Sequence, residues 1–201
     1  MAVYKGFGVS DNPISPKVFR KTVEFYGDSV TAGAFASPLS DRWTSVYSAI
    51  KKITESNHGI NGQTMQNFDR TQIMQYDTTI HGMLFLMYGI NDAGNYNLGT
   101  GSPDNFQTQY QLTVDYAMNT KNWPAGSIAI LGPTDVRRDN YPDIEEFANR
   151  AQLVAQNSNV RFVDMLHPMV AADDFTGLHY TDGIHLSQAG NLFVANILKD
   201  L

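Results

Sequence analysis

The sequence predicts an α/β fold: a three-layer α/β/α sandwich with a central parallel sheet. Three observations carry that prediction. Short apolar runs alternate along the whole chain with segments of helical periodicity. Two of the runs, Met83–Tyr88 and Ser127–Leu131, are apolar without alternation, as strands buried on both faces are. The segments between runs are long enough for the right-handed helical crossovers that parallel neighbours need.

Taken in order, Thr22–Tyr26 (TVEFY) reads as a first strand ending at Gly27. Trp43, Val46, Tyr47, Ile50 and Ile53 fall on one helical face, with Ser40 or Asp41 available as a cap. A further helix is expected from about Thr64 to Gln75, although its apolar positions are irregular. Met83–Tyr88 follows as a strand between Gly82 and Gly89. Ser102-Pro103 is a cap plus first-turn proline, leading a helix with Phe106, Tyr110, Val114 and Ala117 inward. Ser127–Leu131 is a strand ended by Gly132-Pro133. Ile144, Phe147, Ala148, Ala151 and Val154 mark a helix whose first turn carries Asp143, Glu145 and Glu146, where the dipole favours negative charge. Val160–Val163 is the next strand. Ser187 caps a last helix, for which Ala189, Leu192, Phe193 and Ile197 are the expected inward positions.

Composition narrows the function classes. The chain has 201 residues, expected to form one domain over 1–201, and no Cys, which excludes disulfide scaffolds and thiolate-held metal or iron–sulfur sites. Fourteen Lys and Arg face 20 Asp and Glu, a net charge of −6 without a basic stripe, so nucleic acid is not an expected partner. The longest apolar run is far below the ~20 residues of a membrane span, and MAVYKGFGVSDNP contains no apolar signal region. These features suit a cytoplasmic protein or an extracellular or virion-associated part of a larger one. They say nothing of oligomeric state. Only 17% of residues are charged, against ~25% in typical domains. Asn and Gln supply polarity instead, as in QTMQNFDRTQIMQ and DNFQTQYQ, which suits a neutral hydroxylated ligand as well as simple compositional drift.

In open α/β sheets the ligand crevice lies beyond the carboxyl ends of the strands. Asp28, Ser29, Asn91 and Asp92 therefore converge on one rim. Ser29 has the nucleophilic oxygen and needs a general base. His185 has a carboxylate three residues earlier, Asp182, which a turn can bring to the imidazole. Asn91 offers amide N–H groups for an oxyanion, and the glycine-rich loop 58–64 offers backbone N–H groups, through Gly59 or Gly62. The same residues admit plainer readings. Ser29 can cap a helix, Asn91-Asp92 can form a turn, and His185 can lie on the surface. His179, Asp182 and His185, with Asp164, Asp173 or Asp174, can be read as a metal set, although without a recognised zinc spacing. G-x-S-x-G and P-loop motifs are absent, and Gly6-Phe7-Gly8 lacks the rest of a dinucleotide fingerprint.

Four blocks then stand in order: Gly27-Asp28-Ser29-Val30, Asn61-Gly62-Gln63-Thr64, Gly89-Ile90-Asn91-Asp92 and Asp182-Gly183-Ile184-His185. This succession resembles the SGNH/GDSL hydrolase superfamily of GDSL-type esterases and lipases, from which it departs in having Val30 where Leu often follows the serine. The resemblance implies the SGNH, flavodoxin-like version of the predicted fold and ester hydrolysis through an acyl-enzyme, without metal or other cofactor. It implies Ser29 as nucleophile and His185 as base, oriented by Asp182. The oxyanion hole it implies consists of the Ser29 and Gly62 N–H groups and the Asn91 side chain. The expected substrate is a small-molecule or glycan ester, and the favoured reaction is removal of O-acetyl groups from a carbohydrate, as in a phage tail-associated deacetylase. The grounds are the Asn-rich loop after Asn91, the aromatic residues before Asp182 and the lack of a greasy lid. Asp28, Asn95, Tyr96 and Tyr180 are candidate substrate contacts, with Phe175 beside them. A lipase, lysophospholipase or thioesterase acting on acyl chains is the alternative, and a non-catalytic glycan-binding domain is the alternative of another class.

Overall fold

The computed structural model describes residues 21–137, 141, 143–172 and 175–201, with backbone alone at 175 and 176. Gly6-Phe7-Gly8, Asp173, Asp174 and the Phe175 side chain lie outside that description.

Five parallel strands form one sheet in the order β2-β1-β3-β4-β5. They are β1 (Thr22–Gly27), β2 (Thr54–Asn57), β3 (His81–Met87), β4 (Ile128–Leu131) and β5 (Arg161–Val163). Helices α1 (Ser29–Ala32), α2 (Trp43–Lys51), α3 (Ile90–Asn97), α4 (Pro103–Asn119), α5 (Ile144–Ser158), α6 (Leu166–Ala171), α7 (Phe175–Leu178) and α8 (Gln188–Ile197) connect or flank them. The three central strands supply the core, with Phe25, Leu84, Leu86 and all of β4 fully buried. On one face Phe25 stacks on Phe85 at 5.3 Å, and Trp43 and Tyr47 of α2 meet the Phe25 ring edge to face. α8 packs beside α2. On the other face α4 and α5 pack together through Phe106 and Phe147, and the Tyr110 hydroxyl donates to the Leu86 carbonyl at 2.8 Å. The architecture is the predicted α/β/α sandwich.

Several local expectations are corrected. Residues 64–75 form loops and a single 3-10 turn at Arg70–Gln72, not a helix. Short polar side chains capture the backbone there: Asn67 accepts from Thr64 N–H, and Asp69 from Thr71 N–H. β2 (TESN) was not expected, because an edge strand with one polar row carries no apolar run. The last helix buries Gly190, Asn191, Val194 and Ala195; of the expected inward residues Phe193 and Ile197 pack against the core, whereas Ala189 and Leu192 are exposed. Asn191 sets the rotation of that helix, since its side chain accepts from Trp43 N–H at 2.8 Å and so caps α2 in place of Ser40 or Asp41. Ile50, on the last turn of α2, is exposed as well.

Candidate active site

The site begins where β1 stops. Asp28 takes the N-cap position of α1 and accepts from Val30 N–H at 2.9 Å, which makes Ser29 the first helical residue. β3, paired with β1 in the register Gly27↔Met87, ends at the same level and runs through Gly89 into α3, with Asn91 in its first turn. Sheet register thus places Ser29 and Asn91 side by side.

The partner residues arrive from the C-terminal part of the chain. Residues 179–186 form a tight loop closed by the His179↔Leu186 bridge, by Tyr180 N–H to the His185 carbonyl, and by Gly183 N–H to the Tyr180 carbonyl. Asp182 Oδ1 accepts from the N–H groups of Ile184 and His185, which fixes the carboxylate beneath its own turn. Asp182 Oδ2 lies 2.5 Å from His185 Nδ1, and His185 Nε2 lies 2.9 Å from Ser29 Oγ. Partial burial opposes ionisation of Asp182, but the bonds from His185 and from the two N–H groups outweigh it and hold the carboxyl below its usual range. An ionised carboxylate can only accept, so the proton of a neutral His185 sits on Nδ1 and leaves Nε2 to accept from the Ser29 hydroxyl.

The three candidate oxyanion donors come from α1, α3 and the loop between β2 and β3. The Ser29 N–H opens α1 and, like the Gly62 N–H, meets no acceptor among the described residues. Asn91 Nδ2 spends one hydrogen on the Gln63 carbonyl at 3.0 Å and keeps a second. Geometry separates the two loop glycines. Gly59 N–H is taken by Asn57 Oδ1 at 2.9 Å, and a Cβ at Gly59 would come within 2.3 Å of the Ala32 nitrogen. Gly59 is therefore where the loop crosses α1. Gly62 has φ +75° and open space where a Cβ would stand.

Below the rim lie two buried carboxylates. Burial pushes Asp28 up to about 7, against the bond from Val30, and the neighbouring Asp92 adds to the rise. Burial likewise pushes Asp92 up to about 6, although it accepts from Met65 N–H at 3.0 Å. Asp28 is 1% exposed, so it holds the turn that opens α1 and presents no surface to a substrate. Asn95 and Tyr96 lie on α3 and not on a loop, because the turn after Asn91 continues as helix; Tyr96 packs 6.1 Å from the Phe147 ring. Tyr180 stands at the site, its hydroxyl donating to the Phe35 carbonyl at 2.8 Å. Phe35, whose ring centre is 4.9 Å from that of His185, is a site residue that the sequence gives no signal for. Among the described residues no group of three or more His, Asp or Glu is arranged to hold a metal ion, and Asp164 is paired with His167. No helix among them is long and apolar enough to cross a membrane.

The family model of the GDSL-like lipase/acylhydrolase family matches residues 25–192. The chain belongs to that family. It is an ester hydrolase, and its three-layer α/β/α sandwich is the GDSL fold. No curated protein matches the sequence. Among solved structures, a member of the lipolytic G-D-S-L family from Veillonella parvula is 20% identical, with a TM-score of 0.70 over 90% of this chain and 97% of that one. An acetylxylan esterase from Geobacillus stearothermophilus is 19% identical, with a TM-score of 0.68 over 89% and 92%. A lipase/acylhydrolase from Enterococcus faecalis is 20% identical, with a TM-score of 0.70 over 90% and 94%. At these identities the likeness is one of fold.

Proposed function

We propose that this GDSL hydrolase is a serine esterase that removes O-acetyl groups from a carbohydrate. The observation that carries its mechanism is the unbroken chain Asp182–His185–Ser29, with contacts of 2.5 and 2.9 Å. His185 Nε2 takes the Ser29 proton as Oγ attacks the ester carbonyl carbon. The resulting oxyanion accepts from the N–H groups of Ser29 and Gly62 and from Asn91 Nδ2, donors set before the charge develops. Collapse of the tetrahedral intermediate breaks the bond to the alcohol oxygen, which takes the proton from His185. Water then gives its proton to His185 and attacks the acyl-enzyme, releasing acetate and restoring Ser29. Asp182 holds the imidazole in the working tautomer and stabilises the imidazolium of both steps.

The carbohydrate reading is supported by the low charged fraction and by the fold shared with acetylxylan esterases. Its test compares wild type with Ser29→Ala on p-nitrophenyl acetate, on a long-chain p-nitrophenyl ester and on acetylated xylan. Wild type is expected to prefer acetyl and to release acetate from the polysaccharide, while the variant loses about 10⁴-fold or more in kcat. Equal turnover by the two proteins would overturn the mechanism. Faster cleavage of the long chain would replace the deacetylase by a lipase or thioesterase.

A further inference from the structure

Phe35 is a large aromatic residue kept in the open. It is 59% exposed, in the left-handed region at φ +67°, and its carbonyl is tied by the Tyr180 hydroxyl. Its ring tilts against Tyr180 at 5.3 Å and against His185 at 4.9 Å. A bulky side chain at positive φ is strained and needs its surroundings to hold it, and burial does not repay the strain here. Tyr180 belongs to the same tight loop as Asp182 and His185, so the ring is registered to the imidazole through Tyr180. Beyond Tyr180 lies a cavity of about 210 Å³ whose other walls, Ser37, Asp41, Gln188 and Asn191 among them, are mostly polar.

The reaction decides which half of an ester meets this shelf. His185 Nε2 returns its proton to the departing alcohol oxygen, so the alcohol leaves beside the imidazole. The oxyanion donors draw the carbonyl oxygen the other way, toward Gly62 and Asn91. Resting on the esterase reading above, we infer that Phe35 and Tyr180 form the binding shelf for the alcohol half of the ester and select an alcohol with a hydroxylated ring. The C–H face of a pyranose lies on the Phe35 ring, and its hydroxyls point into the polar cavity past Tyr180. Phe35 sets which alcohol is accepted and leaves acyl length to the opposite side of Ser29.

The test measures kcat/KM of wild type, Phe35→Asn and Tyr180→Phe on an acetylated methyl xylopyranoside, on methyl acetate and on methyl butyrate. Asn tolerates the left-handed conformation, so Phe35→Asn removes the ring without straining the turn. It is expected to lose roughly three- to tenfold more on the pyranoside than on methyl acetate, mostly in KM, which is the worth of one aromatic contact. Tyr180→Phe, which keeps the ring but unties the Phe35 carbonyl, shifts the same ratio less. The butyrate-to-acetate ratio stays put in both. Equal losses on pyranoside and methyl acetate would overturn the inference, since Phe35 would then act only through His185. A moved butyrate-to-acetate ratio would overturn it too, by placing the acyl group on the shelf. Labelling of Ser29 by a fluorophosphonate checks the triad separately. An unlabelled wild type would sink the esterase reading itself, whereas a labelled Phe35→Asn with unaltered alcohol preference would sink the shelf alone.

Discussion

The two halves of the site are built by different means. Ser29 and Asn91 follow neighbouring central strands, so hydrogen-bonded register fixes them, and the buried carboxylates of Asp28 and Asp92 fasten the turns around them. Asp182 and His185 lie on a loop beyond the last strand, with side chains 28% and 18% exposed. Their loop takes its shape from its own turn bonds and hangs on the sheet through contacts with the segment after β4. There Arg137 N–H donates to the Gly183 carbonyl at 3.0 Å, and the His179 ring meets the Asp135 carbonyl. The Ser29–Asn91 half is thus part of the core, and the Asp182–His185 half is a peripheral loop. Damage to the first should reach the fold, while damage to the second should stay with the chemistry.

The sharpest separation is expected from Asp182→Asn. It removes the ionised acceptor of His185 and leaves the sheet untouched, so kcat should fall about 10²- to 10⁴-fold with little change in melting temperature. A large loss of stability would break the contrast. Asn91→Ala should come next, with kcat about 10²- to 10³-fold lower. Because Asn91 also holds the Gln63 carbonyl, faster amide exchange should appear in residues 60–65. Unchanged exchange there would show that Asn91 does not hold the loop.

The smallest effect concerns the carboxylates beneath Ser29. Asp28 and Asp92 titrate at about 7 and about 6 in the folded chain, above the ordinary 3.8. Between pH ~4 and ~7 the folded state therefore keeps protons that the unfolded chain has released. Their contribution to stability is fully present on the acid side, falls as pH rises toward about 7 and is flat beyond it. Asp28→Asn keeps an acceptor for Val30 N–H and is neutral at every pH. It should flatten the fall in melting temperature between pH ~4 and ~7 and leave the variant more stable than wild type above that range. An undiminished slope would show that Asp28 is not the group being titrated.

Much of the scaffold was legible because burial writes itself as pattern. The runs of β1, β3 and β4 and the stripes of α4 and α5 match the described elements, since an element packed on a core must repeat its apolar residues with its own period. Order along the chain was legible too, with the GDS and GxND blocks standing directly after two of those runs, where an open sheet has its crevice. Other parts use residue types that look the same on a surface. The polar edge strand β2, the loops at 64–75 and the tertiary cap from Asn191 to α2 are set by hydrogen bonds of Ser, Thr, Asn and Asp, which carry no periodicity.

The sequence by itself determined the α/β order, the central strands and the residue types available at their carboxyl ends. Tertiary structure alone decided which of those residues meet. The Ser29–His185 bond joins residues 156 positions apart, and no local spacing encodes a distance across the sheet. Tertiary structure also separated Gly59, pressed against α1, from Gly62, which stands in open space. It set Phe35 against the imidazole as well, because a left-handed, exposed aromatic is held by its neighbours and not by its own preference.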